Sequence, residues 1–127
     1  MADDSGTLVS SGTSANIPTG SGSERLRRAT LNGLNAGWQT ILSGTAGHIY
    51  TVISIVYCEL QSASGFIYLR VNDGSNDITL LQGQPVGSQD TFVWSDKFVM
   101  EEDDDLIVYN STTSGDFIVS YIDQDWT

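Results

Sequence analysis

One histidine, one cysteine, three tryptophans and a run of five carboxylates are the residues of this chain with the most chemistry to offer. His48 opens a β-branched run and has no triad partner pattern around it, so it reads as a strand-edge residue rather than a general base. No second His or Cys stands at zinc-ligand spacing. Cys58 lies between Tyr57 and Glu59 in an apolar stretch. A free Cys there is a small buried hydrophobe, because a reactive thiolate needs electropositive surroundings. The run Glu101-Glu102-Asp103-Asp104-Asp105 could lend oxygens to calcium through Glu101, Asp103 and Asp105. It lacks the alternation and central Gly of an EF-hand loop. It therefore reads as a solvated turn, whose charge also discourages sheet-edge association. No Gly-rich phosphate loop precedes a helix. A carboxylate pair for glycoside hydrolysis would be a matter of spatial pairing, and a small sandwich has little material for a cleft. No enzymatic activity, cofactor or metal is expected.

Trp38, Trp94, Trp126 and five Tyr could stack on sugar faces. Trp38 and Trp94 fall inside strand patterns, where core or interface use is commoner. Trp126, beside the C-terminus, is the freest of the three.

The elements that must position these residues are strands. Of 127 residues, only 17% are charged and 13 are Gly, with Ser, Thr, Asn and Gln filling the balance. That composition suits short strands joined by turns and not a helical bundle. Extended stretches are expected at 37–43, 48–60, 66–71, 78–81, 90–100, 106–110 and 117–122. The longest has no purely polar parity, which predicts a bulge or burial on both faces. Turn chemistry separates the stretches, as at Asn72-Asp73-Gly74, and 82–89 reads as a loop. No helical period of ten residues lies between strands, which excludes βαβ units. The expected fold is all-β: strand spacing suits a sandwich or barrel, and an antiparallel β-sandwich is expected over 37–127. Its inner face should include Ile67, Leu69, Val71, Leu106, Val108, Ile118 and Ile122.

Residues 1–36 read as an extended, low-complexity N-terminal arm. Apolar residues are scattered there, and such a segment cannot offset its ordering entropy alone. Leu8, Val9 and Ile17 would be its apolar anchors, and Arg25, Arg27 and Arg28 its charged contacts. One short helix after Ser23, with Leu26, Leu31 and Leu34 on one side, is the only helix the sequence allows.

The chain carries 5 basic and 16 acidic residues, a formal net charge of −11. That balance argues against a nucleic-acid-coating role, because phosphate binding needs a basic face. No apolar run approaches the roughly 20 residues of a membrane span. One Cys allows no intrachain disulfide, and the acidic start lacks a signal peptide's features, so folding in a cytosol is expected. The arm is charge-neutral and the remainder carries thirteen acidic residues against Arg70 and Lys97. Positive charge is thus concentrated in the arm.

Several stretches carry a family resemblance: 48–58, the run Tyr68-Leu69-Arg70-Val71-Asn72-Asp73, the run Asp104-Asp105-Leu106-Ile107-Val108-Tyr109-Asn110, and the closing strand at 117–122. Together they resemble small jelly-roll-like virion proteins of tailed bacteriophages. The Pro-Ala-Gly turn that often follows the first strand in such proteins is replaced here by a direct run through Ile53. The resemblance implies a structural virion protein, assembled in the host cytoplasm, that binds the capsid exterior as a decoration or cement protein. Its partner would be the major capsid protein. The alternative is a tail, neck or fibre component with a receptor- or carbohydrate-binding role. Neither implies an active site. The aromatic content exceeds what one small core needs, so a homotrimer is expected, with a homodimer as the alternative. Tyr68 and Arg70, on the outward parity of their strand, are the candidate interface residues.

Overall fold

A computed structural model describes residues 23–33, 36–112 and 114–127. The arm residues Leu8, Val9 and Ile17, and Leu34 of the expected helix, lie outside these. Nine strands follow in chain order: β1 (Ser23–Leu31), β2 (Gly37–Ser43), β3 (His48–Glu59), β4 (Gly65–Asn72), β5 (Asp77–Val86), β6 (Thr91–Trp94), β7 (Phe98–Met100), β8 (Asp105–Asn110) and β9 (Gly115–Asp125).

They form two antiparallel sheets. One runs β1-β9-β3-β6, with β7 also paired to β3; the other runs β2-β8-β4-β5. Strand β3 pairs with β7 through Tyr50–Val52 and with β6 through Ile55–Cys58. β6 and β7 thus act as two halves of one interrupted edge strand. Counted so, the chain folds back on itself in nested pairs: first with last (β1·β9), second with second-last (β2·β8), third with the split strand, and β4 with β5. That nesting is the jelly-roll wrap, and it bears out the expected fold.

The core lies between the sheets. Alternation sets it clearly in β4, where Gly65, Ile67, Leu69 and Val71 point in, and in β8, where Leu106, Val108 and Asn110 do. In β3 the register with β9 slips between Val52 and Ser54. The inward set accordingly switches from Tyr50 and Val52 to Ile55, Tyr57 and Glu59. This bulge is why neither parity of the longest strand looks polar. A second irregularity between Thr40 and Leu42 lets Ile41 and Leu42 both be buried.

Several expectations are corrected. Residues 23–31 form no helix: they are strand β1, paired along its whole length to β9. The hydrogen bonds that β9 offers on that side outweigh a helix that Asn32-Gly33 would cut short. Ile118 and Ile122 do not face the core; Phe117, Val119, Tyr121 and Asp123 do. Both parities of β9 carry apolar residues, and the inward one brings two aromatic pairings. Phe117 packs on Tyr57 with ring centroids 4.6 Å apart, and Tyr121 on Tyr50 at 4.9 Å. Part of the expected loop at 82–89 is strand, since β5 continues to Val86 through irregular register. Pro85 is tolerated there because β5 is a sheet edge. The extended piece at 90–100 breaks after Trp94, whose indole N–H donates to the Asp96 carbonyl at 2.9 Å.

Candidate functional site

The outward face of the β2-β8-β4-β5 sheet gathers aromatic residues. Trp38, Tyr109 and Tyr68 are directly opposite one another on β2, β8 and β4. Their ring centroids form a near-equilateral triangle of 5.0, 5.2 and 5.7 Å. The next row holds Thr40, Ile107, Arg70 and Thr79. The Arg70 guanidinium lies over the Trp38 indole at 4.2 Å from its centroid, a cation–π contact. Gly83 adopts φ +64 in β5, and a Cβ there would press to 3.4 Å from the Tyr68 hydroxyl. A depression of about 260 Å³ lies beside the cluster, lined by Trp38, Arg70, Asp77 and Ile107.

Tyr68 and Arg70, expected on the outward parity of their strand, both lie on this face. Sequence reasoning named Trp38 and the tyrosines only as possible stacking aromatics and did not foresee that Trp38, Tyr109 and Tyr68 meet in one row. Parity gave little signal, since Tyr109 shares its parity with Asp105 and Ile107, and Trp38 with Thr40 and Leu42.

The other sheet turns a different surface outward. One row reads Leu26, Ile122, Thr51, Val99 across β1, β9, β3 and β7. Another reads Thr30, Ile118, Val56, Val93 across β1, β9, β3 and β6. Between them run Arg28, Ser120 and Ser54. Leu26 is 74% exposed, and Val93 and Val99 are each 56% exposed. An antiparallel sheet with one solvated face normally turns polar residues to water. Here the outward face is mixed, with two mainly aliphatic rows on either side of a polar one.

The three arginines of the expected arm part company. Arg28 stands in the polar row of the aliphatic face. Arg25 and Arg27 take the opposite parity of β1. Arg27 contacts the buried Asp123 carboxylate at 3.3 Å, and His48 Nδ1 contacts its other oxygen at 2.7 Å. His48 Nε2 lies 3.6 Å from Asp125. Asp125 is held below the usual aspartate range, first by the Thr127 hydroxyl and backbone N–H, then by His48 and Arg25. His48 therefore ties strand β3 to β9.

Glu101, Asp103 and Asp105 do not converge. The Asp104 backbone N–H donates to the Glu101 carbonyl at 3.1 Å, and the Glu101 N–H to the Asp104 side chain at 2.9 Å, closing a turn. Asp105 already belongs to β8. Among the described residues no group of three His, Cys, Asp or Glu could hold a metal ion. Trp94 packs against the core and Trp126 is 40% exposed at the chain end. Cys58 is half-buried beside a depression of about 340 Å³ that Thr30, Asn32 and Asp116 also line.

The fold is a jelly-roll sandwich with an aromatic outward face on one sheet and a partly aliphatic outward face on the other. No protein-family model matches the chain, and no curated protein matches it. Among solved structures it is similar to a chain from Bacillus endospore appendages, described as a novel family of disulfide-linked pili. The identity is 12%, the match covers 92% of this chain and 97% of that one, and the TM-score is 0.47. At that identity and score the likeness carries no functional implication.

Proposed function

We propose that this chain is a structural virion protein of a tailed bacteriophage, docking on the capsid exterior as a decoration protein. The supporting observation is the aliphatic outward face of the β1-β9-β3-β6 sheet. Its two mainly aliphatic rows leave Leu26, Val93 and Val99 exposed, and exposed apolar area marks a protein interface. Arg28 sits between the rows on the edge strand, where a guanidinium can take a carboxylate of the partner bidentately. A chain with net charge −11 stays dispersed before docking. The proposed setting rests on the family resemblance of its strands: the major capsid protein as partner, and copies of itself as a homotrimer, or a homodimer, on the lattice.

The experiment is co-sedimentation of the full chain with undecorated capsids. The chain should pellet with them, and the double variant Val93→Glu, Val99→Glu should not, with an unchanged circular dichroism spectrum. Arg28→Gln should weaken binding as raised salt does in the unmutated protein. Failure of the unmutated chain to bind, or equal binding by the double variant, overturns the reading.

A further inference from the structure

The geometry points to a docking site for a second copy of this chain: we propose that the free edge of β1 pairs antiparallel with the β6–β7 edge of a neighbouring copy, head to tail, so that one sheet runs on through both molecules. The pairing does not rest on capsid docking and is a property of the chain alone in solution.

Three observations carry it. The first is the state of the sheet edges. One sheet ends in β1 and in β6–β7, the other in β2 and β5. An open edge offers unpaired N–H and C=O groups to any strand that reaches it. Pro85 and register slips blunt β5, and a slip between Thr40 and Leu42 interrupts β2. β1 has no such device: its nine residues pair with β9 without a slip and include neither Gly nor Pro. The second is direction. β1 and β3 both run antiparallel to β9, and β6 and β7 run antiparallel to β3. A copy displaced along the sheet therefore presents β6–β7 antiparallel to β1 without being turned over. The rows carry across as well. The row of Leu26 ends at Val99 on the far edge, and the row of Thr30 ends at Val93. Pairing in register sets the exposed Leu26 beside the exposed Val99, an apolar cross-strand pair. The third is charge. β1 holds Arg25, Arg27 and Arg28 against Glu24, whereas residues 90–102 hold Asp90, Asp96, Glu101 and Glu102 against Lys97. The row of Arg28 runs through Ser120 and Ser54 and ends at the break between β6 and β7, where Asp96 lies. Arg28 and Asp96 are both exposed, and neither has an ion-pair partner among the described residues.

Charge also decides against a twofold contact. Two β1 edges meeting about a twofold axis would set arginines against arginines, and two β6–β7 edges would set carboxylates against carboxylates. Unlike edges attract. A contact between unlike patches is heterologous, so each copy keeps one edge of each kind for a further neighbour until a ring closes. β1 offers about 30 Å of edge, a narrow contact. Association is therefore concentration-dependent and weakened by salt.

The test uses the full chain in two assays. In the first, Cys58→Ser removes the native thiol. Chains that also carry Leu26→Cys are mixed with chains that also carry Val99→Cys, with oxidised glutathione as the oxidant. Within one chain these positions lie three strand spacings apart, about 14 Å, beyond the reach of a disulfide. The mixture should give a covalent dimer. Leu26→Cys alone, or mixed with Val93→Cys from the other row, should give far less. No mixed disulfide, or an equal yield from Leu26→Cys alone, overturns the proposal. In the second assay, sedimentation follows self-association at low salt. Arg28→Glu and Asp96→Arg should each weaken it about tenfold or more. Mixing the two variants should restore it, because every contact between unlike variants again joins opposite charges. The proposal falls if both variants associate as the unmutated chain does, or if the mixture stays as weak as either alone. Restoration by mixing also shows that both variants are folded. Capsids are absent from both assays, so failure here and failure of capsid docking are separate results.

Discussion

Glu59 is a carboxylate at the inward end of β3 with only 2% of its surface exposed. It survives burial because its oxygens are fully used. Tyr57 donates to Oε1 at 2.8 Å, the Gln61 backbone N–H to Oε2 at 3.1 Å, and the Thr112 hydroxyl lies 2.8 Å from both. Asn110 in turn donates to the Tyr57 oxygen at 3.2 Å. The network clasps the β3 end to the loop before β9. Glu59→Ala leaves three donors unmatched and should destabilise by about 2–4 kcal/mol in urea unfolding, whereas Glu59→Gln should cost less than half as much. A Cβ at Gly115 would overlap the Tyr57 phenol, so Gly115→Ala should strain the same corner. Titration adds a further check. Burial raises the pKa of both Tyr57 and Tyr121 above the ordinary 10.0. A phenol with a raised folded pKa contributes stability that is whole below about pH 10 and is lost as pH rises through the folded value. Thermal stability should therefore fall above pH 10. Tyr121→Phe, which removes one such phenol, should flatten that fall.

Strand β1 decides how the N-terminal third is to be divided. Residues 23–31 complete the sheet, so they belong to the sandwich and not to the arm expected over 1–36. A truncation of residues 1–22 should leave the melting temperature within a few degrees. A truncation of residues 1–31 should lower it sharply and promote association, because it turns β9 into an unprotected edge eleven residues long. Circular dichroism melts and light scattering read both outcomes; equal behaviour of the two truncations would contradict a structural role for β1. The Arg27–Asp123–His48 contacts belong to the same element. Arg27→Gln leaves the buried Asp123 with His48 as its remaining side-chain partner across the strands and should loosen β1 before the rest of the sheet, seen as faster amide exchange at residues 118–122.

For the whole molecule, charge and the two faces set behaviour. The sequence pI near 4.1 places the solubility minimum there, and turbidity against pH should peak close to that value. At neutral pH the chain repels itself, so assembly must come from specific apolar contact. Multi-angle light scattering on the full chain should return a trimer, with a dimer as the alternative closed form. Val93→Glu with Val99→Glu should shift the mass toward the monomer if copies meet through the aliphatic face. Tyr68→Ala should do so if they meet through the aromatic one, as the outward parity of Tyr68 first suggested.

Much of this was legible in the residues alone. The sandwich followed from strand spacing and turn residues, because period-2 patterning and Gly-rich turns are local properties. The inward faces of β4 and β8 followed too, since only one parity of each carries a continuous aliphatic set. The bulge in β3 was written in its two-sided apolar pattern. Tertiary structure decided what local pattern left balanced. In β9 two apolar parities compete, and only the partners on β3 choose between Phe117-Val119-Tyr121 and Ile118-Ile122. In β1 a few apolar residues among arginines signal neither strand nor helix until β9 supplies an edge. The Trp38–Tyr109–Tyr68–Arg70 face joins residues from three strands far apart in sequence. Their convergence is a consequence of the jelly-roll wrap, which sets β8 between β2 and β4 and so brings distant side chains into one row.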